Sequence, residues 1–224
     1  MTVQQPIQAV HLHGDSIFDN GSYVYNGEGE LCVREHLEGL LLPTTKVTLF
    51  AVDGYVTTQA YIDMNKLNAY GEDTLAVLSC GGNDALRSSG IMLVRSESVF
   101  DSLSQMKEVI NSFEKNYDCL LWEMINTYEL KNVRVCTVYN NIPKDAEFIL
   151  DETMLALRLF NDVITETADK YNVGLIDLRN VCTESSDYST ISSIEPSHQG
   201  GEKIAKAIVN SFSMKTANCK PTSC

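Results

Sequence analysis

Five short apolar runs, each followed by a stretch with helical spacing, constrain this chain more than any other feature. Residues 10–13, 47–52, 74–79, 133–138 and 173–178 read as strands. The third is apolar almost throughout, as in a strand buried on both faces. Between them, residues 31–41 place Leu37 and Leu41 on one helical face, and Thr57 or Thr58 caps a helix running to residue 68. Residues 99–130 carry Leu103, Met106, Ile110, Phe113, Tyr117, Leu121, Met124 and Tyr128 at steps of three and four, with a bend or break near Asn116. Residues 151–171 repeat the pattern with Leu155, Leu159, Val163 and Tyr171, and Ile204, Ile208 and Phe212 mark a closing helix. Alternation of this kind, without hairpin signals, predicts a three-layer α/β/α sandwich around a five-stranded parallel sheet, with residues 10–13 at its centre. The 224 residues suit one domain, residues 1–214, followed by a polar tail, residues 215–224.

Polar stops follow the first three strands: Gly14-Asp15-Ser16, Asp53-Gly54 and Gly81-Gly82-Asn83-Asp84. Ligands bind at the carboxyl edge of such a sheet. Gly14 permits a sharp bend there, which leaves Ser16 on a turn whose N–H groups could stabilise an oxyanion. Taken singly, these residues are a helix cap, a turn glycine and a cap asparagine. The connection across residues 180–200 is long for a compact domain and reads as functional. It contains Glu195-Pro196-Ser197-His198. An alternative uses Asp15, Asp53 and Asp84 as carboxylate ligands for Mg²⁺ in phosphoryl chemistry, which leaves Ser16, Gly54, Asn83 and the late element unexplained. His11, His13 and His36 read as packed or solvated, with His13 near Ser16 in the chain. Asp15 and Asp84 read as orienting backbone or capping helices, and Asp19 and Asn20 as lining the cleft.

The ordered set from Gly14 to Ala205 resembles the GDSL-type, or SGNH, hydrolase superfamily, named for Ser, Gly, Asn and His residues in four successive blocks. The resemblance implies a flavodoxin-like sandwich and a hydrolase of acyl esters acting through an acyl-serine. It makes Ser16 the nucleophile, with Gly54 and Asn83 completing an oxyanion hole beside the Ser16 N–H. The fourth block departs from the family's Asp-x-x-His-Pro. A register set by Pro196, Ser197, Gly200, Ile204 and Ala205 puts Glu195 in the histidine's place and Ser192 in the aspartate's. A second register reads Glu195 and His198 as a displaced acid-x-x-His pair, in which His198 takes the Ser16 proton and Glu195 orients the ring. Downstream spacing favours the first register. Chemistry favours His198, because a carboxylate of ordinary pKa, about 4.3, is a poor base unless burial raises it. An acyltransferase or a non-catalytic binding protein on the same scaffold is the alternative function.

Composition narrows the partners. A net charge of −13 argues against nucleic acid and against an anionic membrane surface. No apolar run approaches the roughly 18 residues of a membrane span, and residues 1–6 lack a signal peptide's basic and apolar regions. Seven cysteines without a Cys-x-x-Cys pair suggest free thiols in a reducing compartment, with Cys219 and Cys224 in the tail. A cytoplasmic enzyme acting on a small soluble ester is the expectation. No Gly-x-Gly-x-x-Gly motif is present, and no cofactor or metal is called for.

Overall fold

Leu75, Ala76, Val77 and Leu78 are all buried, because the strand that carries them is covered on both faces. That strand, β3 (Thr74–Ser79), is the middle of a five-stranded sheet with β1 (Ala9–Gly14), β2 (Lys46–Leu49), β4 (Val133–Cys136) and β5 (Gly174–Ile176). The order is β2-β1-β3-β4-β5, and every neighbouring pair is parallel. The computed structural model describes residues 7–24, 29–141 and 151–217, and the side chains up to residue 212. The expectations for residues 1–6, for Cys219 and Cys224 and for most of the polar tail lie outside the described residues.

Side chains alternating along the strands feed two cores. Val10, Leu12, Leu75, Val77 and Cys136 face α1 (Val33–Leu40) and α6 (His198–Ala217). Ala76, Leu78, Val133 and Val135 face α2 (Thr57–Met64), α4 (Val99–Thr127) and α5 (Asp151–Lys170). A short helix not anticipated from the sequence, α3 (Gly82–Ser88), starts directly after β3.

Three expectations are corrected. β1 lies inside the sheet but one place from its centre, because β2 and β3 occupy its two sides. The chain leaves β1 outward to β2 and then crosses back to β3. The crevice at that reversal therefore opens between the carboxyl ends of β1 and β3. Second, α4 runs unbroken for 29 residues, past Asn116. At 1.5 Å per residue it is about 43 Å long, roughly twice the reach of a six-residue strand. Its first turns therefore overhang, leaving Val99, Phe100 and Leu103 exposed at 77%, 77% and 64%. Third, α5 buries Ala156, Leu157, Phe160, Val163 and Ile164, while Leu155 and Leu159 face outward. Phe160, Ile164 and Ala168 pack in the core with Ala76 and Leu78 of β3, so the buried stripe is rotated from the one drawn through the leucines. No helix among the described residues is long and apolar enough to cross a membrane. Cys32, Cys80, Cys119, Cys136 and Cys182 are free thiols.

Candidate active site

The turn after β1 is built on a glycine that nothing else can replace. Gly14 has φ +123°, and a Cβ there would lie 1.7 Å from the Ser79 carbonyl oxygen. The contact arises because β1 and β3 end side by side, Gly14 opposite Ser79, with Asp15 N donating to Ser79 O at 3.0 Å. The chain then turns: Phe18 N and Asp19 N both reach Asp15 O, and Ile17 N donates 3.2 Å to Asp15 Oδ1. Ser16 is carried at the apex of this turn, with only 6% of its surface exposed.

The end of β3 supplies the facing wall. Gly81, with φ +125°, breaks the strand and serves as N-cap of α3, so that Asn83 falls in the first turn of that helix. Asn83 Nδ2 donates 3.0 Å to Tyr55 O, and Arg87 Nη2 donates 2.9 Å to Gly54 O. The loop carrying Gly54 (φ +79°) is thereby tied to α3. Ser16, Asn83 and Glu195 line one cavity together; Gly54 sits on the adjoining loop and is not among the residues lining that cavity.

Glu195 is the group that meets the serine. Ser16 Oγ donates a 2.9 Å hydrogen bond to Glu195 Oε1. The second carboxyl oxygen, Oε2, is buried without a hydrogen-bond partner among the described residues. Burial pushes the Glu195 carboxyl up to about 8, helped by the nearby charges of Asp15 and Asp53 and opposed by the Ser16 hydrogen bond. Asp15 is pushed up to about 7, again mainly by burial.

The segment holding Glu195 is clasped from several sides. Glu195 N donates to Ser192 O, and Ser189 N donates to Glu195 O. Tyr139 Oη donates to Ile194 O, and Asn20 Nδ2 donates 3.1 Å to Pro196 O. Behind it, buried Asp187 accepts from Glu184 N at 3.0 Å and pairs with Lys203 Nζ at 2.7 Å. Gly200 is required there, since a Cβ would come within 2.1 Å of Asp187 O.

His198 is elsewhere, which corrects its expected contact with Ser16. It is the first residue of α6, and its Nδ1 accepts from Leu31 N at 2.8 Å and approaches His36 Nε2 at 3.2 Å. After Pro196, the start of α6 turns position 198 toward α1. The carboxylate facing Ser16 is therefore the one in the register set by Gly200 and Ile204. His13 is turned away as well, its Nε2 hydrogen-bonded to Tyr128 Oη.

Each of the three aspartates has its own protein partner. Asp15 braces the Ser16 turn. Asp53 Oδ2 accepts from Tyr23 Oη at 2.7 Å. Asp84 Oδ2 accepts from both Thr57 N and Thr57 Oγ1, holding the start of α2. No group of three or more metal-ligating side chains occurs among the described residues. Asn20 clasps rather than lines the cleft, bridging Pro196 O and Val33 N, and Asp19 Oδ2 accepts from Asp53 N. The roles of Asn20 and Tyr139 had no signal in the sequence, because their partners, Pro196 O and Ile194 O, are backbone groups far along the chain; that of Asp187 depends on the fold bringing Lys203 of α6 to it.

Serine hydroxyl, buried carboxyl and a cavity at the reversal of the sheet make a unit able to move a proton off oxygen. No family model matches the sequence, and a search of curated proteins finds no match. Solved structures do resemble it. A member of the lipolytic G-D-S-L family from Veillonella parvula superposes with a TM-score of 0.64 at 16% identity, covering 92% of this chain and 98% of that one. The lipase Lip_vut3 from a goat rumen metagenome gives 0.66 at 19% identity, covering 92% and 97%. A variant of the acetyl xylan esterase Axe2 from Geobacillus stearothermophilus gives 0.63 at 16% identity, covering 92% and 95%. The fold is that of the GDSL-type esterases and lipases.

Proposed function

We propose that this chain, folded as those esterases and lipases are, hydrolyses carboxylic esters with Ser16 as nucleophile and Glu195 as the proton acceptor. The observation that carries the reading is the 2.9 Å hydrogen bond from Ser16 Oγ to the buried Glu195 carboxyl at the cavity wall. Ser16 Oγ attacks the ester carbonyl carbon while its proton passes to Glu195. The carbonyl π electrons move to oxygen, and the oxyanion is met by the Ser16 N–H and the Asn83 amide at the same cavity. Collapse expels the alkoxide, which takes the proton from Glu195 and leaves as alcohol. Water then attacks the acyl-serine and gives a proton to Glu195. The second collapse frees the carboxylic acid as the proton returns to Ser16.

Burial is what makes a carboxylate adequate for this work. A base works best when its pKa lies near the operating pH, and Glu195 stands at about 8. Only the ionised form accepts the proton, so kcat/KM should climb through about pH 8 and level above it. An inflection near 6.5, the ordinary range of imidazole, would instead point to a histidine. Glu195→Gln should remove the limb and lower kcat by about a thousandfold, within the usual range for a lost general base. Unchanged turnover in Glu195→Gln would overturn the assignment.

One observation favours a second reading, a non-catalytic binding module: below about pH 8 the Glu195 carboxyl is mostly neutral. Covalent labelling of Ser16 by a fluorophosphonate at pH 9 separates the two. Labelling supports the enzyme, and its absence in the folded protein supports the module.

A further inference from the structure

The apolar seam along α4 is longer than the body it packs against. Phe113, Tyr117, Leu120 and Met124 recur at steps of four and three, all of them buried in the core. The same spacing runs on toward the N-terminus through Ile110, Met106, Leu103 and Val99. That is the repeat that lets one helix pack along another. Asp101, Glu108 and Lys115 recur every seven residues on the opposite side. Ile110 still rests on the core, but Val99 and Leu103 lie past its edge, 77% and 64% exposed. The overhang is a fully formed helix. Ser98 Oγ caps it by accepting from Asp101 N at 3.1 Å, and the hydroxyls of Ser96 and Ser102 hydrogen-bond across its first turn. A 3₁₀ turn, Ser89–Leu93, packs against α4. It adds Leu93 and its neighbour Val94, 82% and 54% exposed, to Phe100 at 77%.

We infer that this face is where a second copy of the chain docks, the two α4 overhangs lying antiparallel across a two-fold axis near Leu103. Size favours a protein partner. At those exposures the five side chains present on the order of 600 Å² of apolar surface, the upper end of what a monomer leaves in water and most of the ~800 Å² that each partner of a stable complex buries. Shape favours a second copy. A seam with this repeat is filled by another helix of the same repeat, and a two-fold axis brings the identical seam to face it. Charge disfavours a lipid surface. Helices that lie on membranes carry Lys and Arg on their polar face. This one carries Glu97, Asp101 and Glu108 beside Arg95 and Lys107, on a chain of net charge −13. An interface at the small end of the range associates reversibly rather than permanently.

The test is sedimentation velocity of the full chain from about 1 to about 200 µM, the range that an interface of this size implies. Wild type should pass from monomer to dimer across it. Leu103→Asp and Leu103→Lys should each stay monomeric, because each would bury a charge against its own copy, and Tm should remain within a degree or two of wild type. Mixed in equal amounts, the two variants should regain the dimer, since position 103 meets its counterpart across the axis. Leu42→Asp, at a similarly exposed position (65%) just after α1 on the other face of the sheet, should dimerise as wild type does. Phe100→Asp keeps the test alive if the Leu103 variants misfold. A monomer at the highest concentration, a dimer that survives both Leu103→Asp and Phe100→Asp, or Leu103 variants that fail to pair when mixed would overturn the inference. Phosphatidylcholine vesicles form the last arm. Monomeric wild type that sediments with them, while Phe100→Asp does not, would assign the face to a lipid surface and sink the dimer. No arm reads ester turnover, so the hydrolase reading stands or falls separately.

Discussion

His11 and His13 leave β1 on the face toward α2 and α4, where one hydroxyl, Tyr128 Oη, lies 2.9 and 2.8 Å from their ring nitrogens. A phenol can accept from one imidazole and donate to the other, so both rings are satisfied while neutral. Tyr70 stacks on Tyr128 and Phe50 on His13, at 5.0 and 4.9 Å between ring centroids. Burial lowers His11 to about 4 and His13 to about 3. At the carboxyl end of the same strand lie Asp15, Ser16 and Glu195, where burial instead raises two carboxyls to about 7 and about 8. Both clusters are buried, and in both burial shifts the titration toward the neutral form. They differ in completeness. The histidine cluster is closed and packed, whereas Glu195 keeps an oxygen that has no partner among the described residues, at the wall of a cavity. Buried polar groups with every bond made hold a fold together; one left open beside empty space is poised to act on something else.

The largest effects should separate the two regions by what they change. Ser16→Ala should abolish ester turnover and leave Tm within a degree or two of wild type. Tyr128→Phe should do the reverse. It strands two imidazoles, costing about 1–3 kcal/mol of stability for each unsatisfied buried group, with kcat changed less than twofold. A catalytic loss in Tyr128→Phe, measured with its stability in the same buffer, would erase the distinction.

The pH dependence of stability should show the two clusters with opposite slopes. Between about pH 6.5 and 4 the unfolded chain binds protons on His11 and His13 that the folded chain refuses, so stability falls as pH drops through that window. Asp15 and Glu195 hold protons in the folded state well above their unfolded values of 3.8 and 4.5, so they withdraw stability as pH rises toward 7 and 8. Denaturant melts of Glu195→Gln should lose part of the alkaline decline and keep the acid one. An unaltered alkaline limb would show that Glu195 does not titrate as described.

The smallest effect is expected at His198. It braces Leu31 N rather than Ser16, so His198→Ala should lower kcat less than tenfold and cost about 1 kcal/mol, a typical single hydrogen bond. A loss of several hundredfold in kcat at unchanged stability would return it to the site.

Much of this was legible in the residues because local physics enforces it. Apolar runs such as Thr74 to Ser79 can only be buried, and their alternation with helices demands parallel strands. Gly14 is dictated by a close backbone approach, and the stops after β1 and β3 mark the edge where a ligand can enter. The chain order of Ser16, Gly54, Asn83 and the late acidic block is likewise visible without coordinates. Gly200, needed because it packs on Asp187 O, favoured the register that puts Glu195 opposite the serine.

What only the tertiary structure decided depends on which distant surfaces meet. Glu195 and His198 are three residues apart and chemically both could serve Ser16. The choice follows from where Pro196 ends the loop and α6 begins, pinned by Asn20, Tyr139 and Asp187. The buried face of α5 was misread because leucine spacing reports hydrophobicity, whereas sheet packing selected Phe160 and Ala168 by fit. The proton affinity of Glu195 is not a property of glutamate at all. It comes from water excluded by side chains brought together from β1, β3 and the long connection before α6, and no local stretch of sequence encodes that exclusion.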